Sequence, residues 1–197
     1  MNEPDFTQLR RLIDEAITYN DVMNALELSA LGLNVAEKKE LIGEMMYFQA
    51  QIEIIKEDFQ GAIRYLDLAL EHNPSDGAAY NDRALCMIEL GSLEGVIDYF
   101  DKGIAAEPDY ATVYHNKGWF LNKLGKHEEA LLLFHKTLEL EPGRAVTYEN
   151  MADVYLSLNQ KEKALDAYKK ALKFIKPEYS HIKLQIEDII KILEHEQ

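Results

Sequence analysis

The chain has a single cysteine, Cys86, a single tryptophan, Trp119, and only five prolines in 197 residues. A lone thiol forms no intramolecular disulfide, so no covalent staple holds this fold, and a reducing, cytoplasmic setting is the expectation. No apolar stretch approaches the roughly 20 residues that a membrane-spanning helix needs. The first residues place Glu3 and Asp5 ahead of Arg10 and Arg11, without the basic start and apolar run of a secretory leader. Basic residues are also in short supply: 21 Lys and Arg face 35 Asp and Glu, a net charge of −14. Nucleic acid requires a basic stripe that neutralises phosphates, and no such stripe exists. An anionic membrane surface is disfavoured for the same reason. The acidity is uneven. Residues 1–76 carry 6 basic against 15 acidic groups, residues 77–144 carry 7 against 11, and residues 145–197 carry 8 against 9. Such a distribution suits a basic or amphipathic protein partner at the N-terminal half, although solubility alone also accounts for it.

Catalytic signatures are missing too. The chain holds no Gly-rich phosphate loop, no GxSxG, no HExxH and no CxxC. Its six histidines are scattered without metal-ligand spacing, and His127 and His135 are read as ordinary surface residues. Cys86 falls inside a helix with only Arg83 nearby to activate it, which predicts an inert thiol. The expectation is a protein without enzymatic activity, cofactor or metal.

What the sequence does contain is repetition. Pro74, Pro108 and Pro142 are 34 residues apart, as are Tyr80, Tyr114 and Tyr148. Ala62, Val96, Ala130 and Ala164 keep the same step, followed by Leu66, Phe100, Phe134 and Tyr168. A period of 34 is the length of a two-helix unit that stacks into a solenoid. Within a unit, small residues let helices approach closely and bulky ones fill the remaining space. Gly91 and Gly125 supply the left-handed residue that ends a first helix, and Asn159 is the best non-glycine substitute. Each proline ends a second helix, because it cannot continue the hydrogen-bond ladder.

This grammar resembles the tetratricopeptide repeat family. With the proline as position 32, units begin at Gly43, Gly77, Ala111 and Ala145. The unit at 111 matches position by position, through Tyr114, Gly118, Leu121, Gly125, Ala130, Phe134, Thr137 and Pro142. The unit at 145 has its proline, Pro177, one place late, and the unit at 43 is looser, with Met46 and Glu53 at bulky positions. The resemblance implies an all-α, right-handed α-solenoid of tandem helix-turn-helix repeats forming one array over residues 1–197. Residues 43–76, 77–110, 111–144 and 145–177 are the repeats. Before them, residues 6–36 form a degenerate repeat, with a helix over Phe6–Thr18 and a second from the N-cap Asp21 through Leu33. Ala25, Ser29 and Gly32 take its small positions, and about three extra residues precede the next unit. Residues 178–197 form a capping helix with an apolar stripe through Ile182, Ile186, Ile189, Ile190 and Leu193.

The resemblance further implies that first helices line a concave groove. From the unit at 43 the groove takes Tyr47 and Gln51, together with Ile54 and Ile55. The unit at 77 adds Asn81, Leu85 and Ile88. His115, Asn116, Trp119 and Asn122 follow from the unit at 111, and Glu149, Asn150 and Asp153 from the unit at 145. Trp119 is the expected anchor, since tryptophans at recognition surfaces dominate binding energy; packing over the adjacent unit is the competing account. The positions whose lysines, arginine and asparagines grip a C-terminal carboxylate in one subclass hold Tyr47, Gln51, Asp82, Thr112 and Asn116 here, without the basic residues, so acidic tails are not the expected ligand. The function implied is an adaptor or scaffold that binds a peptide or helical segment in the groove, with the protein a monomer or weak homo-oligomer. A chaperone-like holder of an unfolded or secreted client is the alternative, and a self-associating structural subunit is the second.

Overall fold

The computed structural model describes residues 5–195. Glu3 and the last two residues of the expected cap lie outside them. Among the described residues there are eleven α-helices, one 3₁₀ turn and no strand. The helices fall into two compact units, Met1–Pro108 and Asp109–Gln197.

The first unit holds α1 (Phe6–Thr18), α2 (Val22–Lys38), α3 (Ile42–Ile55), α4 (Phe59–His72), α5 (Gly77–Glu89) and α6 (Val96–Ala106). Each helix packs on the next in chain order. The second unit holds α7 (Ala111–Lys123), α8 (His127–Leu140), α9 (Ala145–Ser157), α10 (Lys161–Phe174), the 3₁₀ turn Pro177–Tyr179 and α11 (Ser180–His195). Here too neighbours in sequence pack together, and α7 also touches α9 directly.

Two kinds of joint produce this arrangement. At the first kind a residue takes positive φ and reverses the chain: Asn20, Glu40, Glu57, Gly91, Gly125 and Asn159. The carbonyl five residues before the following residue then accepts its N–H, as Glu53 O does from Asp58 N (2.9 Å) and Tyr155 O from Gln160 N (2.7 Å). This is the Schellman closure, which satisfies carbonyls left over at the helix end. At the second kind, Asn73, Glu107 and Glu141 leave the helical conformation just before a proline, because proline's ring disfavours that conformation in the residue ahead of it. The late proline lengthens the last joint: Ile175 and Lys176 are both extended, and Pro177 opens the 3₁₀ turn.

The small and aromatic repeat positions form the core. Ala62, Val96, Ala130 and Ala164 are fully buried, and so are Leu66, Phe100, Phe134 and Tyr168. Two details depart from the repeat pattern. First, α2 continues past Leu33 to Lys38, so the extra residues before the third helix are additional helix. Second, α6 starts only at Val96, because Gly95 sits at φ 77° and cannot be part of a right-handed helix. On α11, Ile186 and Ile190 are buried against the unit, while Leu184 and Ile192 remain 61% and 58% exposed.

Candidate functional site

In the first unit, the first-helix face is built by α3 and α5. Tyr47 is buried beneath the guanidinium of Arg10, whose carbon lies 3.8 Å from the ring centroid. Gln51 and Asn81 are buried as well, and both serve one acceptor. Gln51 Nε2 donates to Asp82 Oδ2 (2.6 Å), and Asn81 Nδ2 donates to Asp82 Oδ1 (2.8 Å). Burial pushes the Asp82 carboxyl up to about 6, even though these two amides favour its charged form.

Next to this carboxylate the face opens into a cavity of about 320 Å³. Ile54 and Ile55 of α3 and Leu85 of α5 form its walls, and Ile17 and Val22 from the α1–α2 joint stand at its mouth. Ile88 is half-buried one turn further along α5. Cys86 is buried at the cavity's side, and loss of solvent pushes its thiol up to about 12, so it stays protonated and unreactive at neutral pH.

In the second unit, α7 and α9 carry the corresponding face. His115 is buried between them. Asn150 Nδ2 lies 3.2 Å from His115 Nε2, and His115 Nδ1 lies 2.9 Å from Thr147 Oγ1. With the amide donating to Nε2, the ring is neutral and donates from Nδ1 to the threonine hydroxyl. Burial, together with the nearby Arg144 guanidinium, holds His115 well below the ordinary histidine range, which keeps it neutral. Asn116, Trp119, Asn122, Glu149 and Asn150 are half-buried and Asp153 is exposed. Asn122 Oδ1 accepts from His127 Nδ1 (2.7 Å), and Asp153 Oδ1 accepts from the Tyr168 hydroxyl (2.6 Å). Burial and the neighbouring Asp153 charge push Glu149 upward. The Lys123 ammonium lies 5.8 Å from the Trp119 ring centroid, within cation–π range.

The structure therefore divides the expected groove residues into two sets. Tyr47, Gln51, Asn81 and His115 are sealed: Gln51 and His115 form polar links between successive repeats, to Asp82 and to Thr147 and Asn150, while Asn81 braces Asp82 on its own helix. Leu85, Ile88, Trp119 and the polar residues of α7 and α9 retain accessible surface. Sequence reasoning missed the cavity, since its mouth is supplied by a joint rather than by any groove position. It also missed a shallower depression of about 770 Å³ over α9, lined by Tyr148, Tyr155, Lys163 and Lys170 among others. Tyr148 and Tyr155 occupy repeat positions expected to be core, but both line this depression and are half-buried. Among the described residues, no group of three or more His, Cys, Asp or Glu is placed to hold a metal ion. No helix among them is long and apolar enough to cross a membrane.

Comparison with known proteins agrees with this architecture. Two tetratricopeptide repeat models match the sequence, one over residues 54–116 and one over residues 109–176. Among solved structures, the thermophilic TPR protein TTC0263 of Thermus thermophilus superposes with a TM-score of 0.72 at 18% identity, covering 95% of this chain and 97% of that one. PilF of Pseudomonas aeruginosa gives 0.66 at 20% identity, covering 76% and 69%. YrrB, described as a TPR protein with an unusual peptide-binding site, gives 0.58 at 19% identity, covering 91% and 92%. A search of curated proteins by sequence returns no match. With the 34-residue grammar, the buried small positions and two matching repeat models, the chain belongs to the tetratricopeptide repeat family.

Proposed function

We propose that this protein is an adaptor or scaffold that holds a peptide or helical segment of a partner against the first-helix faces of its repeats. Tetratricopeptide repeat proteins mediate protein–protein interactions and are typically non-catalytic. The observation that carries the reading is Trp119. It is half-buried on α7, in line with Asn116 and Asn122, on a face whose backing is already fixed by the His115 hydrogen bonds. A rigid backing reduces the ordering cost of binding, and a tryptophan offers large contact area with few rotatable bonds. YrrB's peptide-binding site offers an analogy within the same fold. The test is affinity capture from lysate with wild type beside Trp119→Ala, read by mass spectrometry. One stoichiometric partner lost in the variant is the expected result. Many clients, or an unchanged set with both proteins, would favour a holdase over an adaptor.

Self-association is a second reading, favoured by Leu184 and Ile192 exposed together on α11. Sedimentation velocity across a concentration series, with Leu184→Lys/Ile192→Lys as comparison, decides it. A mass that does not change with concentration removes this reading.

A further inference from the structure

We propose that the cavity of the first unit seats one large apolar side chain of a basic amphipathic segment from another protein, with a Lys or Arg beside that anchor engaging Asp82. The proposal deepens the peptide-binding reading above and rests on it.

Three observations lead there. The cavity's walls, Ile54, Ile55 and Leu85, are aliphatic, and Ile17 and Val22 at its mouth are 43% and 50% exposed. Covering such surface is favourable, at roughly 25 cal/mol per Å² removed from water. A volume of about 320 Å³ sits at the lower end of the range for ligand pockets and suits a side chain rather than a large cofactor.

The second observation is charge. The ionisable groups on the cavity lining are Glu57, Asp82 and Glu89, together with the Cys86 thiol, and the lining contains no Lys, Arg or His. The wider surroundings have the same sign. Residues 1–108 hold 8 Lys and Arg against 21 Asp and Glu, a net charge of −13, while residues 109–197 hold 13 against 14, a net charge of −1. Nearly all of the protein's excess negative charge therefore lies on the unit that has the cavity. An acidic segment would be repelled. A neutral apolar segment would strip solvent from Asp82 with no counter-charge, which is costly. A segment carrying a cation beside its anchor avoids both penalties and is steered inward by the field of the unit.

Third, Asp82 is already oriented. Gln51 and Asn81 each donate to a different oxygen of its carboxylate, so the group is fixed before any partner arrives. Burial raises its affinity for protons despite these donors. A preorganised carboxylate in partly desolvated surroundings is the acceptor with which Lys or Arg pairs most strongly.

The test uses the full chain with labelled Ile and Leu methyl groups and three synthetic peptides of about four helical turns. One has a Leu stripe with Lys and Gln elsewhere. The second replaces its Lys by Glu, and the third replaces its Leu by Ser. The Leu–Lys peptide is expected to shift the Ile54, Ile55 and Leu85 methyl signals saturably, and the other two to bind at least about tenfold more weakly. Asp82→Asn should weaken the Leu–Lys peptide by about tenfold, and Leu85→Lys should abolish binding. Dispersed methyl spectra of each variant establish that it is folded. Equal binding of the Leu–Glu peptide, an unaffected Asp82→Asn, or shifts confined to other methyl groups overturns the proposal. If those methyl groups stay silent while Trp119-dependent capture of a partner persists, the inference falls and the adaptor reading stands. If both fail, both fall.

Discussion

The guanidinium of Arg10 donates to both carboxylate oxygens of Asp76, at 2.7 and 2.8 Å, across 66 residues of sequence. The pair ties α1 to the start of α5, and Arg10 reaches Glu44 on α3 along the way (3.0 Å). Asp76 is at the same time the N-cap of α5, accepting from Ala79 N (2.9 Å). One arginine thus joins three first helices of the unit. Both partners are well shielded, at 11% and 2% side-chain exposure, so the pair is not a surface ion pair of negligible value.

Removal of Arg10 should therefore be costly. Arg10→Ala leaves the Asp76 carboxylate buried without its cation, beside Glu44 and close to Glu107, which already feels the Asp76 charge. A destabilisation of about 3–5 kcal/mol is expected for breaking one side of a buried pair. Adding Asp76→Asn should recover part of it, so that the two changes are strongly non-additive. Urea unfolding of the two single variants and the double variant checks this, and simple additivity would show that the pair is energetically idle.

Much of the fold was legible because a 34-residue period samples the same environment repeatedly. Ala130 and Phe134 could be assigned to the core because Ala62, Val96, Leu66 and Phe100 recur at their positions, and all are fully buried. What the period cannot show is anything that occurs once. Arg10 and Asp76 are neither a repeat apart nor at equivalent positions, so their pairing had no signal. Gly95 takes positive φ and delays a helix, where Gly61, one repeat earlier, is helical. The cavity is lined jointly by Ile17, Val22 and residues of α3 and α5, a grouping that no spacing announces. Groove positions were legible as places on a helix, but the sealing of Gln51 and His115 comes with hydrogen bonds formed between repeats, and that of Asn81 with its bond to the adjacent Asp82.

Glu57 provides a stabilising change. It occupies the left-handed position, φ 62°, that Gly91 and Gly125 fill in later repeats. Left-handed backbone costs a residue with a Cβ about 1–2 kcal/mol, and glycine is exempt, although it loses more entropy on folding. Glu57→Gly should stabilise the protein by about 0.5–1 kcal/mol, while Glu57→Ala gains nothing from the backbone. Thermal melts of the two variants separate relief of strain from removal of a negative charge, since only the glycine gains if strain is the cause.

Gly32 should behave in the opposite way. A Cβ on this residue of α2 would run into the Phe48 ring, which is fully buried, tilted against Phe6 and edge-on to Tyr47. Alanine normally favours a helix by about 1 kcal/mol over glycine, but forcing a core ring aside costs about 1–3 kcal/mol. Gly32→Ala is therefore expected to destabilise, and Gly32→Ala/Phe48→Leu to do so by less than the two single changes combined. Denaturant midpoints measure both effects, and a Gly32→Ala protein more stable than wild type would mean that the ring moves freely.

Asp82 links stability to pH, and the sign follows from its shift. The folded state raises this carboxyl from 3.8 to about 6, mainly by burial. Between these values the folded protein holds a proton that the unfolded chain has released. The group therefore contributes stability below pH 4, and that contribution is lost as pH rises through 6. A displacement of this size corresponds to about 2–3 kcal/mol at most. Asp82→Asn keeps the size of the side chain and removes the titration. Relative to this variant, wild type should lose about 2 kcal/mol between about pH 4 and pH 7.5. Urea denaturation of both proteins at the two pH values gives the difference, in which the contributions of all other carboxylates cancel. A difference independent of pH would mean that Asp82 titrates as in water, and that its two amide donors fully offset the loss of solvent.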